Sequence, residues 1–195
     1  MKPFTYRYLD IPNASKIEKE LSDFILPYCK DKPTGLWSVD LSKFFSDCPE
    51  SVEYLKSVGI LDELRKVCYI VVHPGTGEKD AHVDRNIEPP LTQGESSGCL
   101  AINFGIQNQA HTPVIFYEYI SGPKEYFALP DPSEGSYIFY AKSELKEIDR
   151  YLLTTPALIN TTVPHSIFNN TDKTRISVTF RFNSDPWHLT QTNQS

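Results

Sequence analysis

Apolar and polar positions along the chain follow two different rhythms, and the switch comes about a third of the way in. Before it, Ile17, Leu21, Phe24 and Ile25 recur at helical spacing behind Ser15-Lys16-Ile17-Glu18. That tetrad has the form of a capping box, so a helix is predicted there. A second helix is predicted over 39–45. A third is predicted over 50–66, carried by Tyr54, Leu55, Val58, Ile60, Leu61 and Leu64 and interrupted near Gly59. From Val67 onward the texture is β-branched and aromatic. Strands are predicted over 67–73, 99–106, 114–120, 136–141, 157–160, 165–168 and 175–182. Turn-rich segments fall at 74–77, 88–98, 107–113 and 130–135. Helices first and strands afterwards predict an α+β, mainly β chain, a sandwich or barrel with helices packed on one sheet. The expected organisation is one domain: helical support over 1–66, a β core over 67–183 and a polar tail over 184–195 that is expected to fray unless Trp187 docks it.

Two strands have a strict period of two. In 175–182, Arg175, Ser177, Thr179 and Arg181 share one face, while Ile176, Val178, Phe180 and Phe182 share the other. In 99–106, Cys99, Ala101, Asn103 and Gly105 oppose Leu100, Ile102, Phe104 and Ile106. The polar faces meet water in one reading. In the other they line the interior of a small barrel while the apolar faces pack under helices.

Composition narrows the classes. The 195 residues carry a formal net charge of −6, which argues against broad contact with a phosphate backbone. No apolar run approaches a membrane span and no secretory leader is evident, so a cytoplasmic protein is expected. Cys29, Cys48, Cys68 and Cys99 are widely spaced and form no C-x-x-C pair, so free thiols are expected.

The chemistry concentrates in four places. His82 and Asp84 stand two apart; in an extended segment such residues point the same way and can converge on one ion. His165 follows in Pro164-His165-Ser166. Two histidines and a carboxylate are the donor set of a facial triad, which leaves coordination positions open. Ten residues after His165, Arg175 opens a strand with Ser177 on the same face. A guanidinium fork with a hydroxyl beside it suits a carboxylate.

In that order, H-x-D, distal His and R-x-S resemble the Fe(II)/2-oxoglutarate dioxygenase superfamily over roughly residues 67–182. Pro164-His165-Ser166-Ile167-Phe168-Asn169, the strand Arg175–Phe182 and Leu100-Ala101-Ile102-Asn103-Phe104-Gly105-Ile106 resemble its small aspartyl/asparaginyl hydroxylase-like, phage and bacterial members. The resemblance implies a double-stranded β-helix (jelly roll). It also implies Fe(II) on His82, Asp84 and His165, with 2-oxoglutarate and O2 as co-substrates. Arg175 and Ser177 would then hold the C5 carboxylate of 2-oxoglutarate, with Asn103 beside it. The substrate would be a small molecule or an amino-acid or peptidyl side chain. Asp84 departs from the best-known aspartyl/asparaginyl hydroxylases, which lack the carboxylate ligand; its presence implies hydroxylation rather than halogenation.

Two rival readings accompany this one. Arg175-Ile176-Ser177-Val178-Thr179-Phe180-Arg181 also resembles the R-x-N-x-T-x-R signature of nucleic-acid demethylases, with Ser in place of Asn, but the acidic charge opposes it. A cupin-like metal protein or binding module without oxygenase activity is the other. Tyr69, Tyr117 and Tyr140 are candidates to touch ligand, with core packing the plainer reading. Trp37 is a candidate for a loop over the mouth, with plain packing the plainer reading, and Arg181 is a candidate for a structural or substrate-side role. His73, His111 and His188 are expected to be structural. Residues 88–98 are placed to form a lid over the site.

Overall fold

The structure, a computed structural model, describes residues 4–76, 81–84, 99–122, 124–128 and 136–190. Strand β1 (Tyr6–Tyr8) precedes helix α1 (Ala14–Cys29), strand β2 (Gly35–Ser38) and helices α2 (Leu41–Asp47) and α3 (Pro49–Ser57). Ten strands follow: β3 (Leu64–Val72), β4 (Ala81–Val83), β5 (Leu100–Gln107), β6 (Val114–Tyr119), β7 (Lys124–Ala128), β8 (Ser136–Tyr140), β9 (Leu145–Tyr151), β10 (Ala157–Asn160), β11 (His165–Ile167) and β12 (Arg175–Phe182).

The predicted helices exist, but their ends move. Helix α1 starts at Ala14, with Asn13 at positive φ as its cap and no side-chain capping bond. Ser15 therefore lies inside the first turn, and the capping box does not form. Helix α2 begins after Asp40, whose carboxylate accepts from the amides of Ser42 (2.7 Å) and Lys43 (3.2 Å). Helix α3 is capped from outside: Glu20 of α1 accepts from the amides of Glu50 (2.8 Å) and Ser51 (2.9 Å). It stops at Ser57, short of the predicted end. Gly59 takes a left-handed φ of 71°, and by Leu64 the chain is already a strand.

Two antiparallel six-stranded sheets form, ordered β1-β10-β5-β12-β3-β2 and β7-β8-β4-β11-β6-β9. The first third thus supplies more than helices, since β1 and β2 are the two edges of the first sheet. Ile17, Leu21 and Ile25 of α1 and Phe44 of α2 pack with Leu100, Ile102, Phe104, Val178, Phe180 and Phe182 in one buried cluster. Burying each such side chain contributes about 1.5–3 kcal/mol. The apolar faces of β5 and β12 therefore lie under the helices, and their polar faces turn toward the second sheet. Of the two readings of those polar faces, the structure takes the interior one.

Along one side the sheets are joined by an aromatic seam. Tyr6 and Tyr151 stack at 4.5 Å, and the hydroxyls of Tyr6 and Tyr8 donate to the carbonyls of Arg150 (3.4 Å) and Leu152 (3.0 Å). Thr5 donates to Asp149 Oδ2 at 2.7 Å. Trp187 docks edge-on against Phe4 at 5.7 Å, and the amide of Leu100 donates to Asp185 at 2.6 Å, so this part of the tail is held. None of the four cysteines is in a disulfide. Among the described residues no helix is long and apolar enough to cross a membrane.

Candidate metal centre

Strand β4 lies between β8 and β11, with His82 opposite both Phe139 and His165. Residue alternation then sends His82 and Asp84 inward together. Asp84 sits just past the strand, where its amide donates to the carbonyl of Thr161 at 3.0 Å. That carbonyl belongs to the corner where the chain crosses from β10 to β11. The corner is tied at several points: Thr161 donates to the carbonyl of Cys99, Thr162 to Asn160 Oδ1 and Asn160 Nδ2 to the carbonyl of Phe4. His165 emerges from it with Nδ1 on the carbonyl of Val163 at 2.9 Å. That bond fixes the ring and leaves Nε2 as the ligating atom.

The three side chains offer donor atoms within 4.8 Å of one another. Both ring Nε2 atoms face one oxygen, Asp84 Oδ1, at 3.3 Å from His82 and 3.8 Å from His165. Cis ligands of an ion bound at about 2.1 Å stand about 3 Å apart, so small side-chain adjustments bring the set to bonding distance. Two imidazoles and a carboxylate with one side open are a donor set that can hold a divalent transition ion.

The second oxygen of Asp84 is gripped across the chamber by Arg181 of β12, Nη1 to Oδ2 at 2.5 Å. Burial pushes the Asp84 carboxyl up, but the Arg181 charge and the two histidines outweigh it and hold the group well below the usual carboxylate range. His165 is pushed down to about 4, chiefly by burial, with Asp84 opposing, so at neutral pH the ring is uncharged.

Beyond Arg181, the inward face of β12 is fully buried at Arg175, Ser177 and Thr179. Asn103 of β5 stands opposite Thr179. Arg175 Nη1 donates to Ser177 Oγ at 2.9 Å, and Asn103 Nδ2 reaches the hydroxyl of Tyr151 at 3.5 Å. Arg175 Nε, Asn103 Oδ1 and Thr179 Oγ1 have no hydrogen-bond partner among the described residues. Burial pushes Arg175 down to about 10, with Tyr151 opposing, and pushes Tyr151 up to about 12. Gly105, opposite Ser177, is glycine for a reason of space: a Cβ there would meet the carbonyl oxygen of Leu153 at 2.2 Å.

His82, Asp84 and His165 thus come together, and Arg175, Ser177 and Asn103 share one buried chamber beside them. The tyrosines do not join them. Tyr69 lies on the helix face of β3, with its hydroxyl on the carbonyl of Tyr28. Tyr117 pairs with Ser166 at 3.0 Å on the outer side of the second sheet, and Tyr140 packs with Val83 and Ile138 on that same side. Trp37 lies in β2 and packs on the helical core, not over a mouth. His73 and His188 bond backbone carbonyls of Lys32 and Val58, as structural residues do. Residues 88–98 lie outside the described residues. Sequence reasoning left Arg181 undecided and passed over Thr179 and Tyr151. The six-residue spacing from Arg175 to Arg181 was the available signal, because it keeps both on one face.

No family model and no curated protein matches the chain. Among solved structures, SnoK, a non-heme alpha-ketoglutarate-dependent carbocyclase from nogalamycin biosynthesis, matches with a TM-score of 0.53. The identity is 8% over 93% of this chain and 80% of that one, a likeness of fold alone. Oxalate decarboxylase of Bacillus subtilis matches at a TM-score of 0.35 and 10% identity, over 80% of this chain and 27% of its own. That second likeness is too distant to carry an argument. The architecture is a double-stranded β-helix, α+β and mainly β, with helices on one sheet.

Proposed function

We propose that the chain is a non-haem Fe(II)- and 2-oxoglutarate-dependent oxygenase, hydroxylating an unactivated C–H and releasing succinate and CO2. Arg175 carries the reading. A fully buried guanidinium with no carboxylate beside it among the described residues is costly for a fold to keep. The cost is met when a ligand brings the anion. The C5 carboxylate of 2-oxoglutarate suits the fork of Arg175 with Ser177 beside it, and the open polar atoms of Asn103 and Thr179 line the same space.

His82, Asp84 and His165 would hold the iron and leave coordination positions open for the keto acid and O2. When bound, iron and 2-oxoglutarate supply the oxidising power through O2 activation coupled to decarboxylation. The chain's own residues position the donors. Arg181 fixes Asp84, and the Val163 carbonyl fixes His165. The substrate is a small molecule or an amino-acid or peptidyl group.

Anaerobic titration of metal-free protein with Fe(II) and then 2-oxoglutarate tests this. A weak charge-transfer band at roughly 500–530 nm is expected from keto-acid chelation at an open iron site. The band should vanish in His82→Ala and require far more 2-oxoglutarate in Arg175→Met. Its absence from the wild-type protein overturns the reading.

A further inference from the structure

A continuous file of rings joins the candidate metal centre to the surface. The His165 ring lies 5.9 Å from Phe116, centroid to centroid, and Phe116 lies 6.1 Å from Tyr6 and 6.0 Å from Tyr151. Tyr6 and Tyr151 stack at 4.5 Å, and Tyr8 stands 5.5 Å from the first and 6.2 Å from the second. Phe116 and Tyr151 are buried, Tyr6 is half-buried and Tyr8 is 44% exposed. Closing two sheets needs only apolar rings in contact, and phenylalanine would serve throughout. Here Tyr6, Tyr8 and Tyr151 are phenols instead, and the buried hydroxyl of Tyr151 sits on a long bond, 3.5 Å from Asn103. Phenols are among the side chains most readily oxidised by one electron. Transfer between rings falls off steeply with the gap, and in this file each ring touches the next. Phe116 is not itself readily oxidised and serves as the bridge.

We propose that the file is an electron path that discharges the metal centre when it is oxidised with no substrate in place. This rests on the oxygenase reading. Consuming 2-oxoglutarate and O2 without substrate would leave the iron two electrons above Fe(II), with one oxygen atom retained. Two electrons and two protons return it to Fe(II) and release that atom as water. Each electron leaves a tyrosine of the file as a phenoxyl radical, and the phenol proton passes to water. An ene-diol reductant in solution, such as ascorbate, restores the phenol by giving it a hydrogen atom. The radical settles at the outer end. Burial pushes Tyr151 up to about 12 and leaves its proton no water to enter, so the electron vacancy moves on. Burial and then the charge of Asp149 push the Tyr6 hydroxyl up, and the same negative field favours positive charge arriving on that ring. Tyr8 faces solvent, where both the proton and the reductant are met.

Two samples test the path. Protein carrying Fe(II) and 2-oxoglutarate is mixed with O2 in the absence of substrate. Protein carrying Fe(II) alone is mixed with hydrogen peroxide, which oxidises the iron directly. Both are freeze-quenched for electron paramagnetic resonance. A tyrosyl signal is expected, narrowed by ring-deuterated tyrosine. Ascorbate should erase it, whereas mannitol, which intercepts oxidants in solvent, should not. The double variant Tyr6→Phe/Tyr8→Phe keeps the stack and should bind Fe(II) as the wild type does. It should lose the signal and gain oxygen on the inner rings Phe116 and Tyr151, read by peptide mapping. Phe116→Leu opens the gap to His165 and should lose the signal too. A signal that is absent from iron-bound protein, is quenched by mannitol or survives the double variant overturns the path. The charge-transfer band separates the two claims. A band without a radical leaves the oxygenase reading standing and removes the path. A radical from peroxide, with no band under 2-oxoglutarate, keeps the path and removes the oxygenase reading. Protein that binds no iron removes both.

Discussion

Arg181 and Asp84 meet at 2.5 Å across the space between the sheets, one from β12 and the other from the end of β4. The pair links the floor of the chamber to the candidate metal centre. Removing one partner of a buried pair strands the other charge, at a cost of about 3–5 kcal/mol. Arg181→Met should therefore lower the melting temperature of chelator-treated protein. Added divalent ion should recover part of the loss, since the ion becomes the new counter-charge of Asp84. Ion affinity itself should fall about 10- to 100-fold, because Asp84 loses its orienting partner. Differential scanning fluorimetry with and without chelator, together with metal titration, measures both.

Arg175 behaves in the opposite sense. Its burial already depresses the guanidinium to about 10, so the metal-free, ligand-free fold bears its charge as a cost. Arg175→Met should leave stability unchanged or raise it by about 1–4 kcal/mol, while 2-oxoglutarate affinity falls at least about 30-fold. Arg175→Lys should keep the charge, lose the fork and recover little binding. Chemical denaturation beside calorimetric titration of 2-oxoglutarate distinguishes a ligand-binding arginine from a structural one, since the latter would destabilise when removed.

Acid should unfold the metal-free protein through His165. Its folded value of about 4 lies below the ordinary 6.5, so between those values the unfolded chain binds the extra proton. Stability then rises with pH across that window, by about 3 kcal/mol for this group. Asp84, held low in the fold, adds a loss in the same direction below its ordinary value of 3.8. Denaturant midpoints measured from pH 4 to pH 7 should show the slope, and His165→Gln should flatten it. A wild-type profile that is flat across that range contradicts the buried neutral ring.

Gly105 holds a close approach. A methyl there would lie 2.2 Å from the Leu153 carbonyl oxygen and 2.6 Å from Gln109 Cγ, so backbone must move. Gly105→Ala should cost about 1–3 kcal/mol and, because Ser177 lies opposite, weaken 2-oxoglutarate binding. Thermal melts and titration read the two effects.

The strands most legible in the sequence were those whose two faces have different duties. In β5 and β12 alternation is clean because one face packs under helices and the other lines the chamber, so both the fold and the inward face shared by Arg175, Ser177 and Asn103 were legible. Edge strands gave weaker signals. β1 and β2 are three and four residues long, and β9 is rich in charge because its outer side meets water. The tyrosines took the plainer of their two readings for a related reason. A strand tyrosine satisfies its hydroxyl as well from a helix carbonyl, as Tyr69 does, as from a ligand, and type alone does not tell which face it occupies. The Arg181–Asp84 contact joins residues far apart in sequence, and only the crossing of the two sheets brings them together.

The aromatic seam also sets a schedule. Tyr6–Tyr8 are made about 150 residues ahead of their partner strand Ala157–Asn160, and their hydroxyls reach carbonyls at 150 and 152. On the ribosome β1 waits for that long stretch to emerge before it can pair. The helices can pack locally long before that, so the seam closes late, and β11 and β12, which bring His165 and Arg175 to the chamber, emerge after it.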